Sequence, residues 1–125
     1  MYEILIVGGG PAGLTAAIYA ARAGKHVAVL ERGSTGGQII SAPLVENYPG
    51  IPSVSGTELA RQMTEQACTF GAEIVYTEAV GLEKTPAGFR VLCTDGVREA
   101  KTVILATGAA HRSLGLAAEA ALTGC

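Results

Sequence analysis

The stretch Val7-Gly8-Gly9-Gly10-Pro11-Ala12-Gly13, taken together with Glu31, decides the fold. Apolar residues Ile4 to Val7 precede it and read as a buried strand, and the Ala-rich run Leu14 to Ala23 follows it and reads as a helix. Gly8, Gly10 and Gly13 therefore fall at the strand-to-helix turn of a βαβ unit, where a dinucleotide-binding fingerprint belongs. Gly8 permits a tight turn that a Cβ would oppose. Gly10 lets the backbone approach a pyrophosphate, and Gly13 lets the helix pack closely on the strand. The helix N-terminus offers free N–H groups and the positive end of its dipole to phosphates. Gly24 closes the helix. Val27 to Leu30 is apolar throughout, as a parallel strand buried on both faces is, and Glu31 ends it. A carboxylate there accepts hydrogen bonds from both hydroxyls of an adenosine ribose and repels a 2′-phosphate, which disfavours NADP. A glycine turn with no ligand would leave Glu31 and the triple glycine without a purpose.

Composition narrows the class. A chain of 125 residues reads as one domain, long enough to bury about two-thirds of its unfolded surface. The net charge is −2 and no basic run exceeds two residues, which argues against a nucleic-acid surface. The apolar stretches are short, well below the roughly 20 residues of a membrane span. The first one lacks the basic flank and length of a signal peptide, so a cytoplasmic location is expected. Cys68, Cys93 and Cys125 are far apart, odd in number and without CxxC or metal-ligand spacing. They are expected to be two buried thiols and one at the chain end, in a reducing compartment. His26 and His111 stand alone and read as surface or loop histidines rather than ligands or bases.

Beyond Glu31, residues 33–52 hold four glycines, counting Gly33, Gly36, Gly37 and Gly50, with Pro43, Pro49 and Pro52 among them. Such a long loop is uncommon unless functional or disordered. Its Ile39, Ile40, Leu44, Val45, Tyr48 and Ile51 argue for an ordered loop packed on the body of the domain. A second helix is expected from Ser55 or Gly56 to about Phe70, with Ser55 and Glu58 at capping-box spacing and an apolar face through Leu59, Met63, Ala67 and Phe70. Glu73 to Tyr76 reads as a third strand. Ala79 to Glu83, Gly88 to Thr94 and Val97 to Lys101 read as antiparallel strands joined by turns at Pro86-Ala87-Gly88 and Asp95-Gly96. Thr102 to Ala106 reads as a further buried strand ending at Thr107-Gly108. Ala109 to Cys125 shows only a weak apolar pattern.

The fingerprint with Glu31, the loop Gly36-Gly37-Gln38, the segment Glu46-Asn47-Tyr48-Pro49-Gly50 and the strand end Ala106-Thr107-Gly108 occur in that order. Together they resemble the N-terminal part of the thioredoxin reductases, flavoproteins of the pyridine nucleotide-disulfide oxidoreductase class, across essentially the whole chain. The resemblance implies a Rossmann-like FAD-binding domain, an α/β fold in which a parallel sheet with flanking helices carries a small antiparallel meander. Residues 1–125 would form the N-terminal portion of that domain. It implies that Gly8, Gly9, Gly10, Pro11, Ala12 and Gly13 hold the FAD pyrophosphate, and that Glu31 and its neighbour Arg32 hold the adenosine ribose. Gly36, Gly37, Gln38 and Asn47 would approach the ribityl chain and isoalloxazine, and Val80 would meet the adenine through its backbone. Ala106, Thr107 and Gly108 would pass so close to the cofactor that a bulky residue at Gly108 would clash. The residues themselves support this less sharply: Gly36-Gly37 permits close approach and Gln38 carries both donors and acceptors. Gln38 and Asn47 could equally serve ordinary loop bonding, Pro49-Gly50 a plain turn, and Thr107 a strand-end contact.

Thioredoxin reductases continue with a CxxC redox pair, an NADPH domain and a return to the FAD domain bearing a Gly-Asp motif, and these 125 residues contain none of them. Leu116-Ala117-Ala118-Glu119 also carries alanine where that family often has proline. Disulfide chemistry needs two neighbouring thiols, one activated. This chain is therefore expected to hold no catalytic residue, to have no disulfide reductase activity alone and to retain FAD weakly. The complete protein would pass electrons from NADPH through FAD to a redox disulfide and on to thioredoxin, as a homodimer. The same FAD domain also serves ferredoxin-NADP reductases of the thioredoxin reductase type and the flavoprotein of alkyl hydroperoxide reductase, although Glu46 to Pro52 favours thioredoxin reductase. A non-catalytic module sensing NAD or FAD, and a purely structural α/β domain, are the alternatives of a different class.

Overall fold

Strand β1 (Tyr2–Val7) runs through the glycine turn into helix α1 (Pro11–Arg22), and β2 (Val27–Glu31) returns parallel to β1 with Ile4 opposite Val27 and Val7 opposite Leu30. This is the βαβ unit the fingerprint predicts. The structure is a computed structural model that describes residues 1–110, 112–116 and 118–122. A 3₁₀ turn at Gly37–Ser41 is followed by helix α2 (Gly56–Thr69) and by strands β3 (Glu73–Tyr76), β4 (Ala79–Thr85), β5 (Gly88–Cys93) and β6 (Gly96–Leu105). A short helix α3 (Glu119–Leu122) comes last. His111 and Cys125 lie outside the described residues.

All the strands join one six-stranded sheet in the order β3-β2-β1-β6-β5-β4. The antiparallel meander is thus continuous with the parallel sheet. The link is β6, a single strand of 10 residues where the sequence reads as two pieces. Its first half pairs antiparallel with β5 and its second half parallel with β1, and Ala100 sits opposite both Phe89 and Tyr2. No turn residue separates Lys101 from Thr102, so nothing breaks the strand there.

The topology forces this sheet to curl. β3 and β4 occupy opposite edges, yet only residues 77 and 78 connect them. Flat, six strands would hold the edges about 24 Å apart, whereas the connection reaches about 10 Å. The curl shows in the packing. Leu5, Ala28 and Leu30 of the parallel strands share a buried cluster with Val91 of β5 and Ala100 of β6. The alternate residues Ile6, Val27 and Val29 face the other way, onto Ala17, Ile18 and Ala21 of α1. Polar bonds fix the closure. Thr77, only 6% exposed, donates its amide to Glu31 O (2.9 Å) and its hydroxyl to the Asp95 carboxylate in the β5–β6 turn. Thr94 donates to Glu78 O (3.0 Å), and Arg98 holds Asp95 with two bonds of 2.9 and 2.8 Å.

The glycine- and proline-rich loop is ordered and packed, as its apolar content requires. Val45 joins Leu14, Leu59 and Met63 in a third buried cluster, with Ile39, Tyr48, Ile51 and Val54 against it. Val45 and Val54 exchange backbone bonds of 2.7 and 3.1 Å. Ile40 and Leu44, by contrast, face solvent. Ser55 caps α2 by accepting from the Glu58 amide (3.2 Å), but the Glu58 side chain turns to Arg61 and Gln62 instead of completing a capping box.

Three expectations about burial fail. Phe70, expected on the apolar face of α2, lies just past the end of that helix and is exposed. Cys68 is exposed and Cys93 only partly buried. Cys68 follows Ala67, the last residue of the buried stripe Leu59-Ala60-Met63-Ala67, and one step around a helix turns it off that face. The end of β6 is also not buried: Leu105 is 65% exposed and Ile104 is exposed too. Hydrogen bonding to β1 and β5 places β6 mid-sheet, but no described element covers this end. His26 lies at the surface as expected, against the Tyr2 ring (centroids 4.6 Å apart) and bonded to Glu73 (3.1 Å). Among the described residues there is no cluster suited to a metal, and no helix long and apolar enough to cross a membrane.

Candidate functional site

Ligands of open α/β sheets bind outside the carboxyl ends of the strands. Here the parallel strands β1, β2, β3 and β6 all end on one side. The segments that leave them, Gly8–Gly10, Glu31-Arg32, Thr77-Glu78 and Ala106–Ala109, surround a cavity of about 720 Å³. That lies within the range of small-molecule and cofactor sites.

The glycines divide into two roles. A Cβ on Gly8, whose φ is +108°, would lie 2.2 Å from Ala106 O, and one on Gly13 would lie 1.9 Å from Gly8 O. Both positions are closed by the protein's own backbone. A Cβ on Gly10 would meet nothing nearer than Gly37 Cα at 4.0 Å, so Gly10 faces open space at the cavity wall. That space adjoins the N-terminus of α1. The N-cap Gly10 has no side-chain capping bond, and the first turn carries no acid. The first intrahelical bond is donated by Leu14 to Gly10 O (2.9 Å), which leaves the Ala12 and Gly13 amides ahead of it. An anion at this point would meet those donors and the positive end of the dipole.

Glu31 closes the other side. Its Oε2 accepts from the Gly9 amide and its Oε1 from the Gly33 amide, each at 2.8 Å. The two bonds fix the carboxylate while leaving lone pairs for hydroxyl donors. Next to it, the Arg32 guanidinium lies 3.7 Å from the Glu78 carboxylate.

Of the residues the sequence nominates, Gly8, Gly9, Gly10, Pro11, Ala12, Glu31, Arg32, Gly37, Gln38, Ala106, Thr107 and Gly108 line this one cavity. Gly13, Gly36, Asn47 and Val80 do not line it. Gly36, with φ +114°, is required by packing: a Cβ there would come within 2.5 Å of the Ala60 Cβ. Gln38 donates its amide nitrogen to Ala109 O, a loop-to-loop bond. Gly108 adopts φ +74°, and a Cβ there would meet no protein atom within 4 Å. Asn47 lies on an exposed part of its loop, and the Val80 side chain points to solvent while its neighbour Ala79 lines the cavity. Sequence reading misses Val7, Leu30, Thr77, Glu78, Ala79 and Ala109 as lining residues. For Thr77-Glu78 the available signal was their place just past the end of a parallel strand.

The cavity offers amide donors, the Glu31 and Glu78 carboxylates, and no thiol or histidine among its described lining residues. It is built to bind and orient, so any redox chemistry would come from a bound group. An extended ligand with a diphosphate at Gly10 and a ribose at Glu31 fits the donor set.

Comparison with known proteins shows which proteins the chain resembles. The thioredoxin reductase of Listeria monocytogenes is 40% identical over 124 residues, spanning 99% of this chain and 39% of that protein. That of Treponema pallidum is 43% identical over 124 residues, 98% of this chain and 40% of that protein. Among solved structures, the Lactococcus lactis thioredoxin reductase superposes with a TM-score of 0.89 at 39% identity, covering 93% of this chain and 38% of that one. A ferredoxin-flavin thioredoxin reductase from Clostridium acetobutylicum gives 0.79 at 30% identity, covering 90% of this chain and 39% of that one. The chain spans about two fifths of the length of the curated relatives it matches. The sequence model for pyridine nucleotide-disulphide oxidoreductases matches residues 2–125, and the chain belongs to that family.

Proposed function

We propose that this chain binds FAD as the flavin domain of a thioredoxin reductase-type flavoprotein. One observation carries the reading: open space at Gly10 lies between the uncapped α1 N-terminus and the tethered Glu31 carboxylate, which supports an adenosine diphosphate there. Gly9, Gly10 and Ala12 would hold the diphosphate, Glu31 the adenosine ribose, and Gly37, Gln38 and Thr107 the flavin half. When bound, the flavin supplies hydride and electron transfer, and this chain supplies its position. In the whole protein electrons would pass from NADPH through FAD to a redox disulfide and then to thioredoxin, within a cytoplasmic homodimer. The relative that uses ferredoxin keeps a different electron donor as the second reading.

FAD titration followed by flavin fluorescence and visible absorbance tests the binding step. The wild-type protein is expected to bind FAD weakly enough to lose it on gel filtration, to release it to excess ADP, and to prefer ADP-ribose over its 2′-phosphorylated form. Folded protein that binds neither FAD nor ADP overturns the proposal. Protein that binds NAD but not FAD supports a nicotinamide-sensing module instead.

A further inference from the structure

The sequence places Glu31 and Arg32 side by side, and the two give opposite instructions about the ribose. An acid at the end of the second strand favours a free 2′-hydroxyl, whereas a nearby arginine accommodates a 2′-phosphate. Arg32 is the only cation among the described residues lining the cavity. Left unpaired, it could offset the repulsion from Glu31 and admit a phosphorylated nucleotide.

Glu31 does not neutralise Arg32. Its two oxygens are engaged by the Gly9 and Gly33 amides, and adjacent residues at a strand end point to opposite sides. The partner of Arg32 is Glu78, 3.7 Å away and also on the cavity wall. The backbone of Glu78 is fixed on both sides. Its carbonyl accepts from Thr94 N (3.0 Å), and the preceding Thr77 is tied to Glu31 O and to Asp95. Glu78 thus stands on a braced connection, facing a flexible guanidinium.

We infer that Glu78 is a specificity-determining residue: by pairing with Arg32 it withholds the one cation at the ribose end of the cavity from a 2′-phosphate. With Glu31, Arg32 and Glu78 together the ribose end carries one net negative charge; without the Glu78 charge it carries none. The inference rests on the adenosine site proposed above and adds a second selectivity element to Glu31, on a different strand connection.

The test compares ADP-ribose with 2′-phospho-ADP-ribose, which differ only in the phosphate, by calorimetric titration of the whole chain. Glu78→Gln is expected to raise the affinity for the phosphorylated ligand relative to ADP-ribose by about threefold, the scale of an exposed ion pair. The gain is expected to vanish in high salt and in the double variant Arg32→Ala, Glu78→Gln. Glu78→Ser, smaller and also uncharged, is expected to give the same shift and guards against an effect peculiar to glutamine. An unchanged ratio in both Glu78 variants, with ADP-ribose still bound, overturns the role of Glu78 and leaves the adenosine site standing. Failure of the wild type to bind ADP-ribose at all overturns both.

Discussion

The Gly9 amide donates to Glu31 Oε2 across 2.8 Å, tying the turn after β1 to the last residue of β2. A Cβ on Gly9 would lie 3.0 Å from that same oxygen and 3.2 Å from the Glu31 Cβ. Glycine at this position thus serves to let the carboxylate in. Gly9→Ala is therefore expected to push the Glu31 side chain aside and weaken ADP binding. Glu31→Ala goes further, because it removes the ribose acceptor and leaves the Gly9 and Gly33 amides unpaired. Hydrogen bonds to charged groups contribute about 1.5–3 kcal/mol, so a loss of about tenfold or more in ADP affinity is expected by titration. Equal ADP affinity in wild type and Glu31→Ala would show that Glu31 serves the fold alone.

Gly10 and Gly13 separate binding from folding. A Cβ at Gly13 would collide with Gly8 O at 1.9 Å, and backbone cannot yield as a side chain does. Gly13→Ala is expected to cost about 3 kcal/mol or more, enough to leave little folded protein. A Cβ at Gly10 has room, so Gly10→Ala is expected to change stability by less than about 1 kcal/mol, the ordinary cost at a helix N-cap. The same methyl group would stand where a diphosphate must approach, so FAD and ADP binding are expected to be lost. Thermal denaturation and ligand titration on the two variants check both halves, and full ADP affinity in Gly10→Ala would place the diphosphate elsewhere.

These residues also mark what a sequence reveals and what it hides. The βαβ unit is legible because a strand, a glycine turn and a helix are local patterns, and β3 reads correctly over Glu73–Tyr76 for the same reason. The role of one glycine against another is not local. Gly10 faces a cavity while Gly36 faces Ala60 of α2, and both read simply as glycine. Ile104 and Leu105 read as core because they are apolar, yet burial depends on what packs over them, and no described element does. Thr77 carries no recognisable pattern. Its buried hydroxyl matters because the sheet curls and brings Asp95, 18 positions away, within bonding distance.

The surface of α2 offers a pH test with a definite sign. The Arg61 guanidinium first, and the Gln62 amide second, hold the Glu58 carboxyl at about 2, below its ordinary 4.5. A carboxyl lowered on folding stabilises the native state above its unfolded value, and that stabilisation is lost as pH falls through the folded value. The contribution is thus complete above about pH 4.5 and disappears toward about pH 2. Glu58→Gln is expected to be slightly less stable than wild type near neutral pH, because the pair is exposed and screened. The gap is expected to close as pH falls through that window. A gap that stays constant with pH would show that the Glu58–Arg61 pair adds nothing linked to protonation.

Closure of the curled sheet rests on Thr77. Its hydroxyl donates to Asp95, and Asp95, which Arg98 and then Thr77 hold below its ordinary range, is braced in turn by Arg98. Thr77→Val keeps the shape and removes the donor. A buried hydrogen bond of this kind contributes about 1 kcal/mol, and more where the acceptor is charged. For a domain of this size, a lowering of Tm by about 4 °C or more is expected. Thr77→Ser keeps the hydroxyl and is expected to avoid most of that loss. Hydrogen exchange adds a local readout: the Thr94 amide, bonded to Glu78 O beside this contact, is expected to exchange faster in Thr77→Val than in Thr77→Ser. Equal stability and equal exchange in the two variants would mean that the two-residue connection between β3 and β4 holds the edges together without help from the side chain.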